Sequence, residues 1–439
     1  NASLQEARSR KWGSRFGALA CILSFFGFTV LDVFGPWLEK RHFDPESIAD
    51  AKWGSLAIAA GLFCLVLWRV LPASGEVAAL PLGGAAVPAP TNEDPLLVVR
   101  LFAFFCVWMT HATLLLKPTG AVWNADHFLL RGCAHQGMAI FFTLSGYLMG
   151  KAFGRGRYAV NRRGLLSFYA NRIMRIVPLY LFAQITVVVL LRPEFLQMLK
   201  WTDLVRLLTF NYYTSPGQNG PISALWSLST EMQYYLLAPF VYLLLSSWLR
   251  SGRTVAAGLL LTVLGGLGLR YFLFQLGTNW QEHRYTPLYA NLDLFVVGLW
   301  FNGVMLFLEK IPFRRPTRLA WFFAAWILMA GLYMGACAFS GVGWFYVKMK
   351  GTWEAAAPGD LAYDYAPVAV ALITGGIIVG LELGTRTCAA ALTERSAKRR
   401  RWPLRILETL GVWTYGMYVW HPPVLETAQR LLVNEATIG

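Results

Sequence analysis

An arginine and a histidine stand inside one apolar stretch, LLVVRLFAFFCVWMTHATLLL, at Arg100 and His111, eleven positions apart. At about 100° and 1.5 Å per residue, that spacing returns to within roughly 20° of the same helix face after about 16 Å of rise. In a helix crossing a bilayer, a fixed cation near one surface and a titratable base deeper in then look into the same groove. Ionisable groups inside a span are costly and mark functional positions by default. The plain alternative is that Arg100 snorkels to the interface and His111 is a hydrogen-bonded packing residue.

Other apolar runs carry side chains of the same kind. RIMRIVPLY sets Arg172 and Arg175 three apart on one helical face, with Pro178 making the backbone locally irregular. Such a pair is either a bidentate clamp for pyrophosphate or plain topogenic charge. ALWSLSTEMQYYLLAP places Glu231 one to two turns inside a span, after Trp226, Ser227 and Ser229. Its carboxylate either orients His111 or takes a proton from a hydroxyl, or it pairs with Arg131 or Arg270 at a similar depth. Asp293, in YANLDLFVVGLW, is a second intramembrane carboxylate, and Asp32 is a third that reads as structural. HQGMAIFFTLSGYLMG runs from His135 to Gly150; its Gly137, Ser145, Gly146 and Gly150 let helices approach closely, and Ser145 can donate a hydrogen bond. In WTYGMYVWHPPVL, Tyr415, Tyr418 and His421 are spaced three apart; the tyrosines suit a membrane interface, so only His421 points to a site.

The elements that must hold these groups are membrane helices. Of 439 residues, 56% are hydrophobic and 14% charged, with mean hydropathy +0.46 and 18 Trp. The apolar excess comes in runs of roughly 20 residues, the length an α-helix needs to span. Eleven spans are expected, near 16–38, 53–71, 95–116, 128–150, 174–192, 224–248, 254–274, 286–308, 318–339, 363–383 and 404–424. The net charge of +15 brings nucleic acid to mind, but the basic residues gather in the short segments between apolar runs. With the N-terminus cytoplasmic, 25 of the 39 Lys and Arg fall inside and eleven outside, with Arg100, Arg131 and Arg270 within spans. The opposite orientation would translocate the KRRR cluster at 398–401. An all-α polytopic membrane protein with its C-terminus external is therefore expected.

Residues 73–94, rich in Ala, Gly and Pro, read as a flexible cytoplasmic linker between a two-helix hairpin (1–72) and the body of the chain (95–439). Segment 201–212 places Trp201, Leu204, Val205 and Leu208 on one face and reads as an interfacial amphipathic helix. The polar, basic opening lacks a cleavage pattern after the first apolar run, so no cleavable signal peptide is expected. The six cysteines form no CxxC pair and read as buried free thiols. No GxSxG elbow, P-loop, GxGxxG fingerprint, HExxH or metal-ligand spacing appears, and no metal is expected. No fixed-period or inverted repeat appears either.

The stretches R-x10-H (Arg100 to His111), FFTLSGYL (141–148), RIMRIVPLY (172–180), WSLSTEMQYYL (226–236) and TYGMYVWHPP (414–423) resemble, in order, the acyltransferase 3 family of multi-pass membrane proteins. The resemblance covers about residues 95–425. It implies an acyltransferase of the bacterial inner membrane that moves an acyl group, most often acetyl, from cytoplasmic acyl-CoA to a cell-surface glycan. By the same motif match, Arg100 and His111 correspond to the family's essential pair, and Arg172, Arg175 and Glu231 to its other functional positions. On that reading the three arginines hold the CoA phosphates and His111 is the general base on the acceptor hydroxyl, with an acyl-imidazole as the competing mechanism. Glu231 orients the imidazole or the acceptor; Ser145, Trp226, Tyr180, His421, Asp293 and His135 line the substrate cavity. The 1–72 hairpin lies outside the family core, and no esterase-like domain of the kind fused to some relatives is expected. Many members carry a further helix after WHPP, so a short variant or a truncation is expected at Gly439. A transporter or flippase for an acylated or lipid-linked sugar would use the same buried charges as a path, and a structural subunit docked through the hairpin is a third reading.

Overall fold

The computed structural model describes residues 2–41, 44–66, 94–116, 133–198, 200–211, 221–278, 280–350, 361–390 and 402–438. Among them the chain is helical and contains no strand. The helices are α1 (Ala2–Glu39), α2 (Pro45–Leu65), α3 (Pro95–Leu116), α4 (Ala134–Gly154), α5 (Arg162–Thr186, continued by a π-helical turn Val187–Leu191), α6 (Glu194–Met198), α7 (Trp201–Leu208), α8 (Trp226–Leu245), α9 (Gly252–Gln275), α10 (Leu288–Leu308), α11 (Arg315–Lys350), α12 (Leu361–Ala390) and α13 (Trp402–Ile438). The linker at 73–93, Arg131 and the 398–401 cluster lie outside the described residues.

Each expected span overlaps a long helix among the described residues, and eight of these helices are long and apolar enough to cross a membrane. The other three are α4, α8 and α13, the helices that carry Ser145, Glu231 and His421. The hydropathy they lack is what the site's polar groups displace. α2 begins at Pro45, ahead of the expected 53, because Asp44 caps it. The Asp44 carboxylate accepts the Ser47 amide at 2.9 Å, and Pro45 occupies a first-turn position where a missing N–H costs nothing.

Packing rests on small residues at helix crossings. α4 and α10 meet so closely that a Cβ on Gly146 would lie 1.8 Å from the Phe295 carbonyl oxygen, and one on Gly298 would lie 1.9 Å from that of Thr143. Only glycine allows two backbones this near, which is how helices gain dispersion contacts where lipid supplies no hydrophobic drive. α13 uses the same device against α3, with Gly411 beneath the Leu97 carbonyl. Farther along, His421 of α13 meets His111 of α3, so the two helices run in the same direction. α4 runs the other way, its first amide (Ala134) bonded at 2.7 Å to the Thr110 hydroxyl near the His111 end.

Buried charge is paired at both ends. Lys151 pairs with Glu382, and Arg155 with Glu309, at the end opposite His111. Arg284–Asp364, Arg192–Glu426 and Lys52–Asp32 lie toward the His111 end. Asp32 also accepts from Asn211 at 3.0 Å, just past α7, so the hairpin α1–α2 is tied to the body there. Elsewhere Phe63 stacks edge-on against Phe240 of α8. On α7 the apolar Trp201, Leu204, Val205 and Leu208 remain exposed, the pattern of a helix lying along an interface.

A side chain at Gly146 must therefore push α4 off α10. Gly146→Val is expected to lose at least about 1–3 kcal/mol of stability, the usual range for overpacking. Gly416→Ala, where nothing lies within 4 Å of the new Cβ, is expected to hold or raise the melting temperature in detergent, since alanine favours the helix. Equal melting temperatures for both variants would contradict the close approach.

Candidate active site

The cavity is built where α3, α4, α5, α8 and α13 converge. Its space unoccupied by protein atoms is about 700 Å³, and its wall includes Arg100, Arg172, Arg175, Ser145, Glu231 and Tyr235. The helices position these groups by simple periodicity. Glu231 and Tyr235 are four apart on α8, one turn, and so point the same way. Arg172 and Arg175 share a face of α5, whose first turn is capped by Asn161 accepting the Gly164 amide at 2.8 Å.

Within this wall Glu231 is the acceptor. One of its oxygens takes the Ser145 hydroxyl at 2.7 Å and also the Tyr235 hydroxyl. The Arg172 guanidinium lies over the Tyr235 ring, 4.9 Å from its centroid, and 5.4 Å from that of Phe168. Arg100 is in electrostatic range of Arg175, Glu231 and Tyr235. Three guanidinium groups thus face one carboxylate, and the wall is net positive. Among the described residues the buried Nε of Arg172 has no hydrogen-bond partner. In a low-dielectric site such a donor is a ready place for an incoming anion.

The imidazoles stand apart from the cations. His111 Nδ1 and His421 Nε2 are 2.6 Å apart, with the rings stacked at 20° and centroids 4.9 Å apart. Neither is in the cavity wall; the wall ends at Tyr418, whose ring lies 5.4 Å from that of His421. The Tyr418 hydroxyl donates to the Ala224 carbonyl at 2.7 Å and meets Ser227 Oγ at 2.5 Å, closing that end with Met138 and Phe141.

Several expected partners are elsewhere. Glu231 touches neither His111 nor Arg270. Asp293 instead forms a two-pronged pair with Arg270, at 2.7 and 3.1 Å, while Arg270 also donates to the Ala290 and Gly266 carbonyls. The Tyr180 hydroxyl donates to the Leu207 carbonyl at 3.1 Å and ties α5 to α7. His135 stacks on Tyr363 at 4.7 Å and packs edge-on against Tyr285 and Trp280. Trp226 lies against Tyr285 and Phe142, one residue from the cavity wall at Ser227. Tyr235, Tyr415 and Tyr418 were not expected in the site. For Tyr235 the signal was present, because it stands one helical turn after Glu231. Among the described residues no three His, Cys, Asp or Glu side chains converge on a metal position.

The structure is that of a polytopic helical body with a net-positive cavity between its helices. The chain belongs to the acyltransferase 3 family: residues 96–438 match the family model, described as an acyltransferase domain. It is similar to the peptidoglycan O-acetyltransferase OatA of Listeria monocytogenes, 24% identical over 316 residues, 67% of this chain and 46% of that protein. It is also similar to the putative peptidoglycan O-acetyltransferase YrhL of Bacillus subtilis, 24% identical over 306 residues, 66% of this chain and 44% of that one. The O-acetyltransferase OatA of Staphylococcus aureus is 27% identical over 201 residues, 43% of this chain and 31% of that protein. The chain spans less than half the length of these curated relatives. No solved structure matches it.

Tyr235→Phe and Ser145→Ala each remove one hydroxyl from Glu231. Each is expected to cost about 0.5–1.5 kcal/mol, and more in combination because the carboxylate then lacks a neutral donor. A double-mutant cycle on thermal unfolding in detergent measures this. Strict additivity would contradict the shared acceptor oxygen.

Proposed function

We propose that this chain is a membrane-embedded O-acyltransferase that moves an acyl group, acetyl by analogy with the names of its relatives, from acyl-CoA to a glycan hydroxyl. The observation that carries the reading is the cavity wall itself, where Arg100, Arg172 and Arg175 face a single carboxylate, Glu231. Guanidinium groups bind phosphate oxygens bidentately, and the donor's nucleotide end is polyanionic. The Arg100 end faces the cytoplasm on the charge distribution of the loops, which places the cations where that donor is found. The bacterial inner membrane is the matching location.

The donor supplies an acyl group already activated as a thioester. The chain supplies position and proton transfer. Arg172, held over Tyr235, offers its unpartnered Nε to phosphate, and Arg175 extends the same face toward the cavity mouth. Glu231 limits mutual repulsion among the three cations. His111 is the general base on the acceptor hydroxyl, at the far end of the path beyond Tyr418. A cell-surface glycan, peptidoglycan by analogy with the relatives' names, is the acceptor on that side.

His111→Ala is expected to lower acyl transfer by about 10²–10⁴-fold while leaving donor binding intact. Arg172→Ala is expected to weaken donor binding by about 1.5–3 kcal/mol, roughly ten- to a hundredfold. Release of free CoA from acyl-CoA by purified protein, with a soluble glycan fragment as acceptor, reads both. Movement of sugar across vesicles with no CoA released would replace this reading with that of a transporter.

A further inference from the structure

Two adjacent prolines lie inside α13 immediately after His421. In an α-helix the amide of residue i bonds the carbonyl of residue i−4. Proline has no N–H, so Pro422 leaves the Tyr418 carbonyl without its ordinary helical partner. That carbonyl is taken instead by a side chain: His421 Nδ1 lies 2.7 Å from the Tyr418 oxygen. A carbonyl oxygen only accepts, so Nδ1 of His421 carries the hydrogen. The other nitrogen, Nε2, lies 2.6 Å from Nδ1 of His111. In a neutral His421 this Nε2 is a lone pair, and it accepts from His111 Nδ1–H. The remaining nitrogen of His111, Nε2, is then the basic one.

The surroundings agree with a neutral relay. His421 is buried, 5% exposed, with Phe104 edge-on to its ring at 5.9 Å and Tyr418 beside it. Its two nitrogens are both engaged, one by the carbonyl and one by His111. His111 is the more exposed of the two. The buried imidazole is thus the holder and the outer one is held. A base whose far nitrogen is fixed by an oriented acceptor is the arrangement that sets tautomer and ring direction in many histidine sites. In most of these the acceptor is a carboxylate or a carbonyl; here a second imidazole transmits the carbonyl's preference.

From this geometry we infer that Pro422, the Tyr418 carbonyl and His421 form a positioning relay that locks His111 in its Nδ1–H tautomer and presents Nε2 as the base nitrogen. The inference rests on the assignment of His111 as general base. His421 acts through His111 and is a positioning residue.

The test combines turnover with a readout independent of turnover. ¹⁵N NMR of histidine-labelled protein in bilayers, with the His111 signals assigned by their loss in His111→Ala, is expected to show a protonated Nδ1 and an unprotonated Nε2. His421→Leu is expected to move that population toward the Nε2–H form and to lower kcat by about 10- to 100-fold, the usual effect of losing an imidazole's outer partner, with KM for acyl-CoA unchanged. His421→Gln, whose side-chain oxygen can accept near the position of Nε2, is expected to recover both the tautomer and most of kcat. Pro422→Ala restores an amide that competes for the Tyr418 carbonyl; it should raise thermal stability yet lower kcat, a sign opposition that a purely structural proline would not give. A protonated Nε2 on His111 in the wild type overturns the relay, and so does an unchanged kcat in His421→Leu. Full turnover in His111→Ala with the expected tautomer present removes the base assignment and with it the relay's catalytic purpose, while leaving the hydrogen-bond order established.

Discussion

The constraint on which the rest of the structure depends is the presence of guanidinium cations among helices that otherwise bury apolar surface. A charge held away from water needs an opposite charge, an acceptor or a polarisable face. Glu231 is in range of Arg100, Tyr235 lends its ring to Arg172, and Ser145 and Tyr235 together fix the carboxylate that offsets both. The same requirement bears on α4, α8 and α13, the three long helices outside the eight that are long and apolar enough to cross a membrane. α4 and α8 are enclosed by their neighbours and can carry polar groups that a lipid-facing helix could not, while α13 turns Tyr418 and His421 inward and leaves Val412, Trp413 and Val424 exposed. Arg270 obeys the rule differently: Asp293 and the Ala290 and Gly266 carbonyls occupy both of its terminal nitrogens. Two arginines inside spans thus have opposite meanings, decided by whether their partners saturate them.

Backbone exceptions carry a second share of the architecture. Glycines at the α4–α10 and α3–α13 crossings bring main chains together, and the latter crossing sets the height at which His421 reaches His111. Prolines act in the reverse sense by withholding a hydrogen bond. On α5 the Ile176 carbonyl, two residues before Pro178, accepts the Tyr415 hydroxyl of α13 at 2.7 Å, although the carbonyl that Pro178 itself releases is that of Met174. On α13 the Tyr418 carbonyl, released by Pro422, accepts from His421. Of the helices around the cavity, α5 is cross-linked to α13 at the Ile176 carbonyl and α13 is latched internally at the carbonyl that Pro422 releases.

Much of this was legible in the chain before any coordinates. The long helices follow from apolar runs of bilayer length, and Arg100, Arg172, Arg175, Ser145 and Glu231, picked out by type and spacing, share one cavity wall. What the sequence did not disclose is which faces of different helices meet. Glu231 was open to partnership with His111 or Arg270, yet its partners are Ser145 from α4 and Tyr235 from its own helix. Asp293 and His135 have the chemistry of site residues, but Arg270 and an aromatic cluster occupy them. Tyr180 looks the same within its motif and serves to hold α7. Periodicity fixes relations within a helix; relations between helices depend on where glycines let backbones cross, and that is a three-dimensional result. The start of α2 was misplaced for a local reason, since hydropathy ignores the Asp44 cap.

The separation of cations from imidazoles bears on the kind of compound the path would accept. Along α3, Arg100 and His111 are about 16 Å apart by helical rise, and Tyr418 stands between the cavity and the histidine pair. A small anion held by the arginines would leave the base unused, whereas a long molecule with its charge at one end and its reactive group at the other engages both. The apolar wall between, Phe141, Phe142, Leu144, Ile176 and Leu228, offers the uncharged middle of such a molecule nothing to ionise or hydrogen-bond. On the proposed reading, cations at one end, apolar lining in the middle and imidazoles beyond an aromatic constriction would favour a compound that is long as well as charged. A clustered arrangement, with the imidazole among the guanidiniums, would have selected for charge alone.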